Sequence, residues 1–280
     1  MLTISVLLDR FSVGMGIPRG LYFGFYLGSL GAGMGERNQY GLGRYVPQDV
    51  RREIRSRCGF GCVICGLAYY DYEHFDPDFK DAREHNPKGM TLLCMQCNQK
   101  RARGTLSAAT VARANKNPKC KQQGFASELF DFGPDPIDVK FAGVSFFNCG
   151  VLIQIHGVDV LSFRPPVEEG GPVLLSGLLS DVTGATTLKI VDNVWYAGDE
   201  NWDVEVEGAR VTIRRGLGDI ALQLKVCPPH ALVIERVDMQ FEGYFLKGNE
   251  DTLSVSTDGS NWSEFTLCSL HNCGVGISLN

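Results

Sequence analysis

Four of the ten cysteines fall in two C-x-x-C pairs, Cys62/Cys65 and Cys94/Cys97, with 28 residues between the pairs. Each pair offers two thiolates from one tight turn. Two such turns brought together give four sulfur ligands in a closed tetrahedral site, the signature of structural zinc. Closure leaves no position for water, so this metal is expected to hold the fold and do no chemistry. Zinc bound this way contributes folding energy on the order of 10 kcal/mol, which suits a short segment with a thin core. The other six cysteines are scattered without a framework. Paired rather than scaffold-like spacing argues for a reducing compartment, and the cytoplasm is the expected location. Between the pairs stands Tyr72-Glu73-His74, and Asn98 directly follows the last cysteine. Alone, a Glu-His step is an ordinary surface pair, and an Asn after a knuckle is an ordinary turn residue. Together, zinc would fix the turn carrying Asn98 beside the stretch carrying Glu73 and His74. Carboxylate and amide oxygens suit a hard divalent cation, and a neutral imidazole suits proton abstraction from water. Those are the parts that phosphodiester hydrolysis needs.

The runs RREIRSRCGFGCVICG (51–66), YEH (72–74) and LLCMQCNQKR (92–101) resemble the HNH (ββα-metal) endonucleases of the four-cysteine knuckle type. The resemblance covers roughly residues 45–118. It implies a small ββα-metal domain, His74 as general base, and Glu73 and Asn98 as ligands of a catalytic divalent cation, Mg²⁺ or another. In that family the position after the last cysteine is usually His, with Asn in a variant found in phage junction resolvases. The implied substrate is double-stranded or branched DNA. One position departs from the pattern. The family's middle Asn lies five residues before the third knuckle cysteine, where it helps hold the loop that orients the His. Gly89 stands there in this chain, and Asn86, three residues earlier, is the substitute if the loop is shifted.

Six basic residues are candidates for phosphate contact: Arg51, Arg52 and Arg55 before the knuckle, and Lys100, Arg101 and Arg103 after it. A solvated helix face is the competing explanation for them. His85 is read as a loop residue or as a helper in the cleft, and Cys58 and Cys120 as buried thiols outside the metal site. No G-x-x-x-x-G-K-[ST] run occurs, which excludes nucleotide-driven translocation by a Walker-type loop, and the Ser, His and Asp residues of the C-terminal half show no triad spacing.

The elements that must position these residues follow from local pattern. Pro47 and the run to Arg57 predict a helix with Pro in its first turn, broken by Cys58-Gly-Phe-Gly-Cys62. Residues 68–73 are aromatic and predict one arm of a hairpin. Residues 95–103 predict a helix stopping at Gly104, and Ser107 is the expected N-cap of another to about Asn115. Residues 123–138, with Pro134-Asp-Pro136, are expected to be a linker. From 139 to 280 short alternating runs such as WDVEVE and RVTIR predict a mostly antiparallel β domain, sandwich or solenoid-like. Asn148-Cys-Gly-Val-Leu-Ile153 is echoed by Asn272-Cys-Gly-Val-Gly-Ile277, either as equivalent turns closing one sheet system or by chance. The class expected for the whole chain is α+β.

Charge divides along the same line. Residues 44–122 carry 15 Lys and Arg against 8 Asp and Glu, while the rest carries 12 against 24. Nucleic-acid contact is therefore expected only in the basic part. The acidic β region is expected to serve oligomerisation, as in a homo-oligomer, or partner binding or sensing. By analogy alone, a nuclease fused to a sheet domain suggests a bacterial or phage-defence effector. Residues 1–43 are expected to be a poorly ordered extension preceding the 44–122 domain. The apolar run Leu21–Gly35 is too short and glycine-rich for a membrane span. Two alternatives to the endonuclease stand: a non-catalytic zinc-knuckle DNA-binding module attached to a β interaction domain, and a β protein with a nuclease-derived attachment.

Overall fold

Helix α1 (Gln48–Cys58) begins after Pro47, carries Asp49 in its first turn and places Arg55 and Arg57 in its last, the arrangement that the helix dipole favours. Gly59, at φ 73°, ends it in the left-handed conformation, with the Phe60 amide bonded back to the Arg55 carbonyl at 2.9 Å. This computed structural model describes residues 37–280 and the two-residue strand Ile4–Ser5, which pairs with Val275–Leu279. The apolar run Leu21–Gly35 and most of the 1–43 extension lie outside the described residues.

After the first cysteine pair the chain forms a two-stranded antiparallel sheet, Asp71–His74 against Met90–Leu93, with Glu73 opposite Thr91 and His74 opposite Met90. Helix α2 (Met95–Ala102) starts immediately after the second strand, with the Cys94 sulfur accepting from the Cys97 amide as its cap. Ser107 caps α3 (Ala108–Lys116) by accepting from the Thr110 amide at 3.1 Å, and α4 (Lys119–Gln123) follows. Ile54, Val63, Met90, Leu92, Leu93 and Val111 form the small core of this part together with the buried cysteines.

The C-terminal part consists of an eight-stranded and a ten-stranded sheet sharing one apolar core, with Phe141, Phe146, Ile153, Trp195 and Leu222 at its centre. Most pairings are antiparallel, and three are parallel. The whole is α+β.

One sequence expectation is corrected here, and one left open is decided. Residues 123–138 are not a free linker. Phe125–Leu129 is a strand paired with Val194–Gly198 at the edge of the eight-stranded sheet. The Ala68 amide also bonds to the Ser127 carbonyl at 3.1 Å, and Phe60, Ala68 and Cys120 join the large core. The knuckle segment is thus packed onto the β part and not tethered to it. The N-C-G-V echo, for its part, marks equivalent turns within one sheet system and not chance. Val144–Phe147 runs parallel to Cys268–His271, and Val151–Ile155 parallel to Val275–Leu279, at a constant offset of 124 residues. Between them the Asn148 amide donates to Asn272 at 2.8 Å, both residues at positive φ. Each copy crosses from the ten-stranded to the eight-stranded sheet, so the two copies lie side by side where the sheets meet.

Among the described residues, no helix is long and apolar enough to cross a membrane.

Candidate functional site

The sulfur atoms of Cys62, Cys65, Cys94 and Cys97 all lie within 4.8 Å of one another, and those of Cys65 and Cys94 are 3.5 Å apart. A tetrahedral zinc with bonds of about 2.3 Å separates its sulfurs by about 3.8 Å, so the four residues fit that ion. The turn after Cys62 is closed by the Gly66 amide on the Cys62 carbonyl at 2.8 Å. The Cys65 hydrogen bond draws the Cys62 thiol down, whereas burial pushes Cys97 up. A bound cation would favour the thiolate form of all four. Cys58 and Cys120 are buried outside it, against Thr91 and the Gly66 carbonyl.

One strand–helix junction away, the Asn98 side-chain amide donates to Glu73 Oε1 at 2.6 Å. The sequence places these residues 25 apart, and the sheet followed directly by α2 brings them together. The contact uses the Asn98 nitrogen, so its amide oxygen remains to act beside the carboxylate. Burial raises the Glu73 carboxyl, partly offset by the Asn98 hydrogen bond. His74 follows on the same strand and is 7% exposed. Burial, then the neighbouring His85 and Arg44, push its ring down to about 4, which keeps it neutral near pH 7. Glu73, His74 and Asn98 line one open cleft of about 550 Å³ with Arg44, Phe79 and Arg101.

The loop between the two strands carries the departure from the family pattern. Gly89 accepts the amides of Phe75 and Asp76 on its carbonyl, at 3.0 and 3.2 Å. A Cβ on residue 89 would sit 2.0 Å from the Asp76 carbonyl oxygen, so the close backbone approach requires glycine there. Asn86 does organise this loop: it caps the short turn Pro87–Gly89 by accepting from the Lys88 amide at 3.0 Å. Contact with His74 comes from the preceding residue instead. His85 Nδ1 lies 3.0 Å from His74 Nε2, and His85 Nε2 lies 3.0 Å from the Gly43 carbonyl oxygen.

The six basic candidates separate. Arg55 is 2% exposed and forms a two-bonded pair with Asp203, a bond to Glu205 and one to the Tyr72 hydroxyl. It cannot reach a phosphate, which corrects the expectation for it. Arg52 stacks over the Trp202 ring at 3.5 Å, and Arg51 pairs with Glu207 at 3.2 Å. All three thus fasten α1 to the strand Asp203–Glu207 and the Trp202 just before it. In sequence the basic run resembles a phosphate-binding face because its acidic partners lie some 150 residues away (148 for Asp203, 150 for Glu205). Lys100 and Arg103 are exposed, whereas Arg101 is half-buried in the cleft, paired with Asp78. Sequence reasoning missed Gly43, Asp78 and Arg44, none of which carries a local signal. No protein-family model matches the chain, and no curated protein or solved structure matches it either.

Proposed function

We propose that the chain is a metal-dependent endonuclease of the HNH type that hydrolyses DNA phosphodiester bonds. The observation that carries this reading is the Glu73–Asn98 contact at 2.6 Å in a cleft also lined by His74, next to the four-cysteine cluster. Glu73 and Asn98 would hold a hard divalent cation, Mg²⁺ or another, which when bound neutralises charge on the phosphoryl oxygens and the leaving oxygen. His74, neutral and buried at the cleft wall, takes a proton from the attacking water. Arg44 and the Asp78-paired Arg101 line the same cleft, and the exposed Lys100 and Arg103 at the end of α2 supply positive charge toward a DNA backbone. The thiolates saturate zinc, so its role is to fix the junction on which Asn98 sits. In this reading the β part buttresses α1 and offers its acidic surface to another copy or partner.

The test is nicking of supercoiled plasmid with and without added Mg²⁺ or Mn²⁺, by the full chain and by His74→Ala. Cleavage that needs the cation and falls roughly 10²–10⁴-fold in the variant is expected. DNA binding without cleavage under any divalent ion would replace this reading with the zinc-knuckle binding module.

A further inference from the structure

The Gly43 carbonyl can only accept, so His85 Nε2 bears the hydrogen of their 3.0 Å contact. In a neutral His85 ring, Nδ1 is then bare and accepts. The hydrogen of the second 3.0 Å contact must therefore sit on His74 Nε2, leaving His74 Nδ1 as its basic nitrogen. Gly43 belongs to a segment clasped onto the loop that carries His85. The Asn38 side-chain amide donates to the carbonyls of Phe79 and Ala82, both at 2.6 Å. Gln39 reaches Asp81 at 2.9 Å, and Arg83 lies over the Tyr40 ring at 4.3 Å. Gly43 itself bridges back to Arg37.

We propose that His85 is a positioning residue that fixes the ring and tautomer of His74, and that residues 37–43 anchor it through the Gly43 carbonyl. A carbonyl–imidazole–imidazole chain thus stands where the middle Asn of the family is replaced by Gly89. Its catalytic consequence rests on the endonuclease reading of the same site; its structural content does not.

The experiment reads both separately. Ring-nitrogen NMR of the full-length, zinc-loaded protein at neutral pH is expected to show His74 as the Nε2–H tautomer. In His85→Ala that signature should collapse into a tautomer mixture. His85→Gln should restore it, because a carboxamide can accept from His74 and donate to Gly43 at once. Asn38→Ala, which loosens the clasp without touching either ring, should move the spectrum part of the way. On plasmid, His85→Ala should slow the single-turnover step roughly 10- to 100-fold with DNA affinity unchanged, and His85→Gln should recover most of it. An Nδ1–H tautomer for His74 in the wild type, or a His74 spectrum unmoved by His85→Ala in a folded protein, overturns the proposal. The expected spectra with no cleavage in any variant, wild type included, uphold the positioning and overturn the nuclease.

Discussion

Replacing Arg55 with alanine removes a cation from the most buried charged cluster described in this protein. The guanidinium bonds Asp203 at 2.8 Å through two nitrogens and Glu205 at 2.7 Å. Burial opposes its charge, but the Asp203 hydrogen bond and the nearby Tyr72, Tyr70 and Asp203 outweigh that and raise its pKa. Without it Asp203 and Glu205, 1% and 5% exposed, keep Arg214 as their cationic partner among the described residues, at 2.9 and 2.8 Å. Breaking a buried ion pair costs about 3–5 kcal/mol, and the surviving Arg214 places the loss near the lower end, about 3 kcal/mol. With a urea slope of about 3 kcal/mol per M, the unfolding midpoint should fall by about 1 M. The assay is urea unfolding followed by circular dichroism with zinc present, using Arg103→Ala as an exposed control. Replacing Arg55, Asp203, Glu205 and Arg214 together by Met, Leu, Leu and Met should recover most of the loss, since no buried charge is then left unpaired. DNA affinity of folded Arg55→Ala should match the wild type. A midpoint shift indistinguishable from that of Arg103→Ala, or a loss of DNA affinity without loss of stability, would refute the assignment of Arg55 to the α1–sheet junction.

Other outcomes follow from the same geometry. The double variant Cys94→Ser/Cys97→Ser should lose the one zinc per chain in metal analysis, together with the helical signal of α2; full helicity without zinc would contradict the closed S₄ site. Gly89→Ala should destabilise the loop by about 1–3 kcal/mol or more, because the obstacle 2.0 Å away is backbone and cannot rotate aside. Gly89→Asn, which places there the residue that the HNH resemblance implies, should also lower the melting temperature; a Gly89→Asn variant as stable as the wild type would contradict the close backbone approach at this position. On the proposed endonuclease reading, Lys100→Ala/Arg103→Ala should weaken DNA binding and reduce the log–log salt slope by about 1.8, near 0.9 per lost contact. An unchanged slope would remove α2 from the interface.

The site was legible where the chemistry is local or paired. Two C-x-x-C turns need four thiolates in one place, and the fold supplies them. Ser107 works as a cap because capping is a matter of three residues. The Glu73–Asn98 approach follows from the same knuckle, since the turn ending at Cys97 carries Asn98 to the strand of Glu73; the roles of the two residues rest on the resemblance alone. What could not be read depends on distant partners. The basic run of α1 gave no sign that Asp203 and Glu205 would take up Arg55. Phe125–Leu129 is too short, and too closely followed by Gly and Pro, to stand out as a strand, yet a sheet edge recruits it. Gly89 looks like a missing functional group in sequence; in three dimensions it is where two backbones touch.

The paired copies at 144–155 and 268–279 also bear on how the protein reaches its fold. Every bond between them closes a loop of more than a hundred residues, in a register whose offset is 124 throughout. Such closure costs only a few kcal/mol at equilibrium but retards the search, as contact order predicts. Until 268–279 is available, Val144–Phe147 and Val151–Ile155 each keep a bare edge of unpaired amides and carbonyls, a template for another chain. Chains cut before Cys268 should therefore self-associate as they are made, while the full chain refolds slowly and in a concentration-dependent yield. Light scattering during refolding of the two forms measures the difference, and equal scattering would mean that the edges are protected some other way.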